Sequence, residues 1–230
     1  MHFYCINLER RPDRKALAKA QFEHEGIDVE FVNAFDGRKQ APEDLMIEKG
    51  TWGNAMSHRR IWNDIVEKGY DMAVIFEDDV NLSPNFKSKM DSLIQEVSEM
   101  RWDLLYLGHY LAINKGDVTP NVFYGRPLGI HAYVVTRAAA QKLQTFDPAD
   151  MDMILDSILT RLPIIRLAAK EPIAFQSEDG TMLGALVRQM FDGDIGIPKT
   201  DWEHHLTYWS THILVFILLL ILVMLGLRLR

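Results

Sequence analysis

The sequence predicts an α/β domain, helices packed on a sheet, followed by a linker and an apolar C-terminal helix. Three observations carry this expectation. Short apolar runs alternate with helical patterns, as in folds that layer helices on a sheet. One of those runs, Met72-Ala73-Val74-Ile75-Phe76, is apolar at every position, as befits a strand covered on both faces. The chain then closes on an apolar segment with no polar face. The expected boundaries are a folded domain over 1–180, a linker over 181–205 and a membrane-anchor helix over 206–230.

In order, Phe3 to Leu8 reads as a first strand. A helix follows from about Pro12 to His24, with Pro12 suited to its first turn and Gly26 to its end. Val29 to Val32 is a second strand, closed by the turn Asp36-Gly37. Asn54 to Lys68 is helical, with Met56, Ile61, Trp62 and Ile65 near one face and Gly69 as its stop. After the strand at Met72–Phe76, Ser83-Pro84 is expected to open a helix reaching about Met100. Leu104–Leu107 and Ala132–Val135 are further strands, and Thr136 caps a helix over Arg137–Leu143. A helix near Asp152 to Arg161 and a strand at Ile164–Leu167 complete the domain. Asn114 to Pro120 reads as a loop. Glu178 to Asp201 is polar and glycine-bearing and reads as a mobile connection to the tail.

The chain has 230 residues, enough to bury a sizeable core, and its 48% hydrophobic and 25% charged content is that of a globular protein. A formal net charge of -7 argues against a nucleic-acid partner, since such proteins carry basic surfaces to neutralise phosphates. A phosphate-bearing ligand stays possible where a bound metal supplies positive charge. The single cysteine, Cys5, lies in an apolar run and reads as a core residue. It can form neither an internal disulfide nor a zinc cluster.

No signal peptide is expected at the N-terminus, because the apolar start meets Glu9, Arg10 and Arg11 too early. Ile213 to Leu227 is apolar apart from Gly226, and with Leu206–His212 the stretch reaches about 22 residues, long enough to cross a bilayer. Tyr208 and Trp209 then fall at one interface, and Arg228 and Arg230 at the other.

The strongest chemical signal is Glu77-Asp78-Asp79, three acids directly after the buried strand. Alternation places Glu77 and Asp79 on one side and Asp78 on the other. Their mutual repulsion is relieved by a divalent cation, and oxygen ligands suit Mn2+ or Mg2+. Ligands at the carboxyl ends of strands are the rule in open α/β sheets. The second signal is Gly53-Asn54-Ala55-Met56-Ser57-His58 with Trp62. Here Gly53 is expected to turn the chain into a helix whose free N–H groups face an anion.

These residues, in this order, resemble glycosyltransferase family 25, which includes bacterial lipooligosaccharide and animal collagen galactosyltransferases. Ile6-Asn7-Leu8 with Arg10 and Arg14 is similar to the family's opening strand and basic turn. Ala34 with Asp36-Gly37 is similar to its Ala-x-Asp-Gly turn. Gly53 through Ser57-His58 and Trp62 looks like its Gly-Cys-x-x-Ser-His-x-x-x-Trp element, with Asn54 in place of the cysteine. Ile75 to Val80, Asp103 to Gly108 and Gly129-x-His131-Ala132-Tyr133 resemble three further elements, and Asp152 falls where the family has a late aspartate.

The resemblance implies a GT-A type domain and transfer of a hexose, galactose from UDP-galactose first, to a saccharide acceptor such as a lipooligosaccharide or another surface glycan. It implies Glu77 and Asp79 as metal ligands for Mn2+ or Mg2+. It also implies Asn7, Arg10, Arg14, Asp36, Gly53, Ser57, His58, Glu77, Asp78 and His131 as donor-binding residues. Asp152 is the first candidate for the general base that an inverting transfer needs, and Asp156, one helical turn on, is the second. The partners expected are a nucleotide sugar, a glycan or glycolipid acceptor and a membrane, with the catalytic domain on the cytoplasmic side. Two other readings stand beside it: a non-catalytic membrane scaffold that keeps the fold, and a metal-dependent phosphohydrolase. The latter needs a nucleophilic aspartate that the first strand, ending in Asn7-Leu8-Glu9, lacks.

Overall fold

The computed structural model describes residues 1–177. Its elements run β1 (His2–Asn7), α1 (Pro12–His24), β2 (Glu30–Asn33), α2 (Gly37–Gln40), α3 (Lys49–Lys68), β3 (Met72–Glu77), β4 (Val80–Leu82), α4 (Phe86–Glu96), β5 (Leu104–Tyr106), β6 (Leu111–Asp117), β7 (Val122–Leu128), β8 (Ala132–Thr136), α5 (Arg137–Leu143), a 3-10 turn at Pro148–Asp150, α6 (Leu155–Leu159), β9 (Arg166–Ala169) and β10 (Ala174–Gln176). Among these residues one mixed sheet takes the order β2-β1-β3-β8-β5-β9-β7-β6, and β4 pairs with β10 in a separate antiparallel ribbon. The three strands β2, β1 and β3 are mutually parallel, and β8 runs antiparallel to β3 and β5.

The all-apolar run becomes β3, near the middle of the sheet, with Ala73, Val74, Ile75 and Phe76 fully buried. Ala73 and Ile75 join Tyr4, Trp62 and Tyr133 under α3, α5 and α6 on one face. Val74 and Phe76 join Cys5, Phe22 and Phe86 under α1 and α4 on the other. A fully buried side chain of this size contributes about 1.5–3 kcal/mol. The strand that ends in the acidic triplet is therefore held firmly from both sides, and Cys5 is the core residue its sequence context implies.

Several elements depart from the sequence expectation. Helix α3 begins at Lys49, so Gly53 lies inside it rather than at its entrance. Helix α4 does not start at Ser83-Pro84. The extended chain of β4 continues through Ser83, whose N–H donates to the Ile173 carbonyl at 2.9 Å, and the Glu25 carboxylate accepts from Asn85 N and Lys87 N where the helix opens. It also ends at Glu96, short of Met100. The helix expected over Asp152–Arg161 is only α6, and the Arg166 guanidinium takes the carbonyls of Leu159 and Leu162 at its end. The strand expected at Ile164–Leu167 lies two residues later, as β9 at Arg166–Ala169.

The loop expected at Asn114–Pro120 is largely strand. β6 pairs with β7, with a bulge between Asn114 and Gly116. As an edge strand exposed along most of its length, β6 carries no apolar alternation to announce it. The linker and the anchor helix lie outside the described residues. Among the described residues no helix is long and apolar enough to cross a membrane.

Candidate active site

The parallel register of β1 on β3 pairs Ile6 with Glu77, which brings Asn7 beside Asp78. The Asn7 amide donates to Asp78 Oδ2 at 2.6 Å and to the Arg11 carbonyl at 3.0 Å. Arg14, on the first turn of α1, donates through one guanidinium nitrogen to Asp78 Oδ1 at 3.1 Å and to Asp79 Oδ2 at 3.3 Å. Gln176 of β10 donates to the same Asp79 oxygen at 3.3 Å, and the Asp79 carbonyl accepts from Ser177 N at 2.7 Å. Glu77 turns the other way, toward α3: the Asn54 amide donates to Oε1 at 2.6 Å, and His58 Nε2 lies 3.5 Å from the same oxygen.

The side assignment from strand alternation is thus overturned. Extended geometry ends at Glu77, and the turn that follows swings Asp78 and Asp79 together onto Arg14, leaving Glu77 alone with Asn54 and His58.

These groups wall a cleft of about 400 Å³, a size common for small-ligand sites. Arg10, Arg14, Asp36, Asn54, Glu77, Asp78, Asp79 and Gln176 line it. Asp36 caps α2 through Arg38 N and takes Arg10 Nε at 3.2 Å. The cleft's wall depends on a close backbone approach: a Cβ on Gly53 would stand 2.5 Å from the Phe35 carbonyl oxygen and 2.9 Å from Gly37 N. Gly53 therefore serves as a spacer between α3 and the Asp36-Gly37 turn, not as an anion-binding helix start. Ser57 ties the same contact, accepting from Phe35 N at 2.9 Å and donating to the Gly53 carbonyl at 2.6 Å.

Electrostatics mark Asp79. Burial and the Glu77 charge outweigh Arg14 and push its carboxyl up to about 7, and its Oδ1 is buried without a hydrogen-bond partner among the described residues. Burial also pushes Glu77 up, but the hydrogen bonds from His58 and Asn54 outweigh it and hold the carboxyl below its ordinary value.

Of the remaining expected residues, His131 is buried behind the site. Its carbonyl accepts from Glu77 N at 3.0 Å, its Nε2 donates to the Ala174 carbonyl at 3.2 Å, and burial lowers its proton affinity. Asp152 stands in a bend on the surface with Arg161 at 3.5 Å. Asp156, on α6, accepts from the Tyr110 hydroxyl at 3.0 Å. Burial and the Glu77 charge raise its carboxyl, which places it within electrostatic reach of the acidic triplet.

Three participants escaped the sequence reading. Gln176 sits on a three-residue strand with no periodic signal. Tyr110 lies outside every motif. Asn54 was noted only as a departure, although it makes the shorter of the two contacts to Glu77 Oε1.

Comparison with known proteins places this geometry. Residues 1–156 match the family described as Glycosyltransferase family 25 (LPS biosynthesis protein). Mouse "Inactive glycosyltransferase 25 family member 3" is 29% identical over 68% of this chain and 31% of its own length. Zebrafish "Procollagen galactosyltransferase 1" is 26% identical over 68% of this chain and 30% of its own. The chain spans about a third of the length of these curated relatives. A solved glycosyltransferase involved in glycosylation of the PBCV-1 major capsid overlaps 63% of each chain at a TM-score of 0.39 and 9% identity, too distant to inform the site. With two thirds of its residues inside the family match, and with the acidic triplet, Asn54 and Ser57 of α3 and the Asp36-Gly37 turn lining one cleft, the chain belongs to glycosyltransferase family 25.

Proposed function

We propose that this chain is a metal-assisted hexosyltransferase with a GT-A type domain, moving galactose from UDP-galactose to a saccharide acceptor such as a lipooligosaccharide or another surface glycan. The observation that carries the reading is Asp79: a buried carboxylate beside two other acids, with one oxygen that no donor among the described residues satisfies. Such a setting is costly unless a cation completes it. Glu77 and Asp79 would hold Mn2+ or Mg2+, and when bound the ion would supply Lewis-acid stabilisation of the leaving diphosphate. Among the described residues no three His, Cys, Asp or Glu side chains converge to enclose a metal. That fits an ion which takes one or two carboxylates from the protein and the rest of its shell from phosphate and water.

The chain's own residues do the remainder. Arg14 and Arg10 bring positive charge to the cleft for the diphosphate, and Asn7 and Arg14 hold the Asp78 carboxylate in place. Asp156 is the general base: it takes the acceptor hydroxyl proton as the new C–O bond forms at the anomeric carbon and the bond to UDP breaks. Its raised proton affinity suits that task, and Tyr110 orients it. Asp152, exposed and paired with Arg161, is left to the surface. We further propose that residues 206–230 anchor the chain at a membrane with the catalytic domain in the cytoplasm. The support is the apolar length and the interfacial Tyr208 and Trp209.

The similarity to a relative named inactive favours one other reading, a non-catalytic scaffold that retains the fold. A screen for slow hydrolysis of each UDP-sugar with Mn2+, run beside calorimetry of Mn2+ and UDP, separates the two. Hydrolysis with saturable binding supports the transferase, and absence of both supports the scaffold.

A further inference from the structure

Behind Glu77 lies a line of buried polar groups that no step above uses. Trp62 Nε1 donates to the Tyr133 hydroxyl oxygen at 3.1 Å, that hydroxyl lies 2.9 Å from His58 Nδ1, and His58 Nε2 lies 3.5 Å from Glu77 Oε1. Trp62, Tyr133 and His58 are all at 0% exposure.

The direction of every hydrogen bond in this line follows from chemistry. An indole N–H only donates, so the phenol oxygen accepts from Trp62. Burial pushes the Tyr133 phenol well above its ordinary value, so it keeps its proton. Among the described residues that proton has one acceptor within reach, His58 Nδ1. With Nδ1 accepting, the imidazole hydrogen must sit on Nε2, where it points at Glu77. The opposite tautomer would strand the phenol hydrogen in the core and set the Nε2 lone pair against a carboxylate. That arrangement leaves a buried donor unsatisfied.

Glu77 Oε1 thus receives two donors, Asn54 at 2.6 Å and His58 at 3.5 Å, while Oε2 receives none among the described residues. Since Glu77 lines the cleft, Oε2 is the oxygen left for a ligand.

We propose that Trp62, Tyr133 and His58 form a one-way hydrogen-bond relay that aims the His58 Nε2–H at Glu77 Oε1 and so presents Glu77 Oε2 to the cation–nucleotide complex. The relay makes Trp62 and Tyr133 positioning residues of the donor site. This rests on the transferase reading above and adds to it residues that touch neither donor nor metal.

The test uses the full chain labelled with 15N at histidine, with the His58 signals assigned by their loss in His58→Gln. Long-range 1H–15N correlation of the nucleotide-free protein should show Nδ1 unprotonated and Nε2 protonated. In Tyr133→Phe that pattern should give way to a tautomer mixture, and affinity for UDP in the presence of Mn2+ should fall roughly 10- to 100-fold, as is usual when a metal ligand loses its outer support. Trp62→Phe should keep the tautomer and lose less affinity. A wild-type His58 that carries a proton on Nδ1 overturns the relay. So does a folded Tyr133→Phe chain with unchanged tautomer and unchanged Mn–UDP affinity. If Tyr133→Phe does not fold, the wild-type tautomer alone decides. A locked tautomer in a wild-type chain that binds no Mn–UDP overturns the transferase reading, and with it the relay's donor role, while the relay's geometry stands.

Discussion

Replacing Asp79 by Asn should stabilise the folded chain at alkaline pH while abolishing sugar transfer. The folded Asp79 carboxyl is pushed from 3.8 up to about 7 by burial and the Glu77 charge. The unfolded carboxyl ionises above about 4. Between those values the folded state binds more protons than the unfolded one, so wild-type stability falls as pH rises through the window and levels off above it. Each pH unit in the window contributes about 1.4 kcal/mol, a ceiling on the order of 4 kcal/mol in all.

Asn carries no such charge. Its amide oxygen can keep the contacts from Arg14 and Gln176, and its NH2 then falls where Oδ1 already lacks a partner, a constant cost of about 1–3 kcal/mol. That constant cancels when two pH values are compared. Urea unfolding at pH 5 and pH 8 should show the stability of Asp79→Asn relative to wild type rising by about 3 kcal/mol. Added Mn2+ should stabilise wild type at pH 8 and leave the variant unmoved. A difference that does not change with pH, or that moves against Asn as pH rises, refutes the account of Asp79 as a strained carboxylate awaiting a cation.

Three other outcomes are expected. Asp156→Asn should lower kcat by roughly 10²- to 10⁴-fold with UDP-sugar affinity little changed, and Asp152→Asn should stay within about twofold; steady-state kinetics with both variants decides which carboxylate is the base. In the wild type the acid limb of the kcat profile should lie above the ordinary aspartate range, because burial and Glu77 raise Asp156 and a base works only when deprotonated; a limb at the ordinary value would remove Asp156 from that role. Gly53→Ala should cost about 1–3 kcal/mol in denaturant unfolding, since the new methyl would meet the Phe35 carbonyl at 2.5 Å; an unchanged midpoint would mean the α3 contact yields easily.

Much of the frame was legible because it is local. The bounds of α1 and α5, the Thr136 cap and the doubly covered β3 follow from residue spacing, a proline in the first turn and an unbroken apolar run, all within reach of a short window. The acidic triplet was visible for the same reason, since adjacency to a buried strand is written in residue order. The β6–β7 hairpin was not legible, because an exposed edge strand needs no apolar face, and the β4–β10 ribbon joins two three-residue strands about ninety positions apart.

By itself, then, the sequence determined which residue types stand at the ends of which strands, and hence where the acidic groups of the candidate site lie. Only the tertiary structure decided how they are shared out. Asn7 meets Asp78 across 71 residues, His58 meets Tyr133 across 75, and Gln176 meets Asp79 across 97. The turn after β3 sends Asp78 and Asp79 to Arg14 and leaves Glu77 to Asn54 and His58. Asp152 and Asp156 are alike in the sequence, two aspartates four positions apart, and differ only in their surroundings: Arg161 beside an exposed Asp152, and burial, the Tyr110 hydroxyl and the field of Glu77 around Asp156.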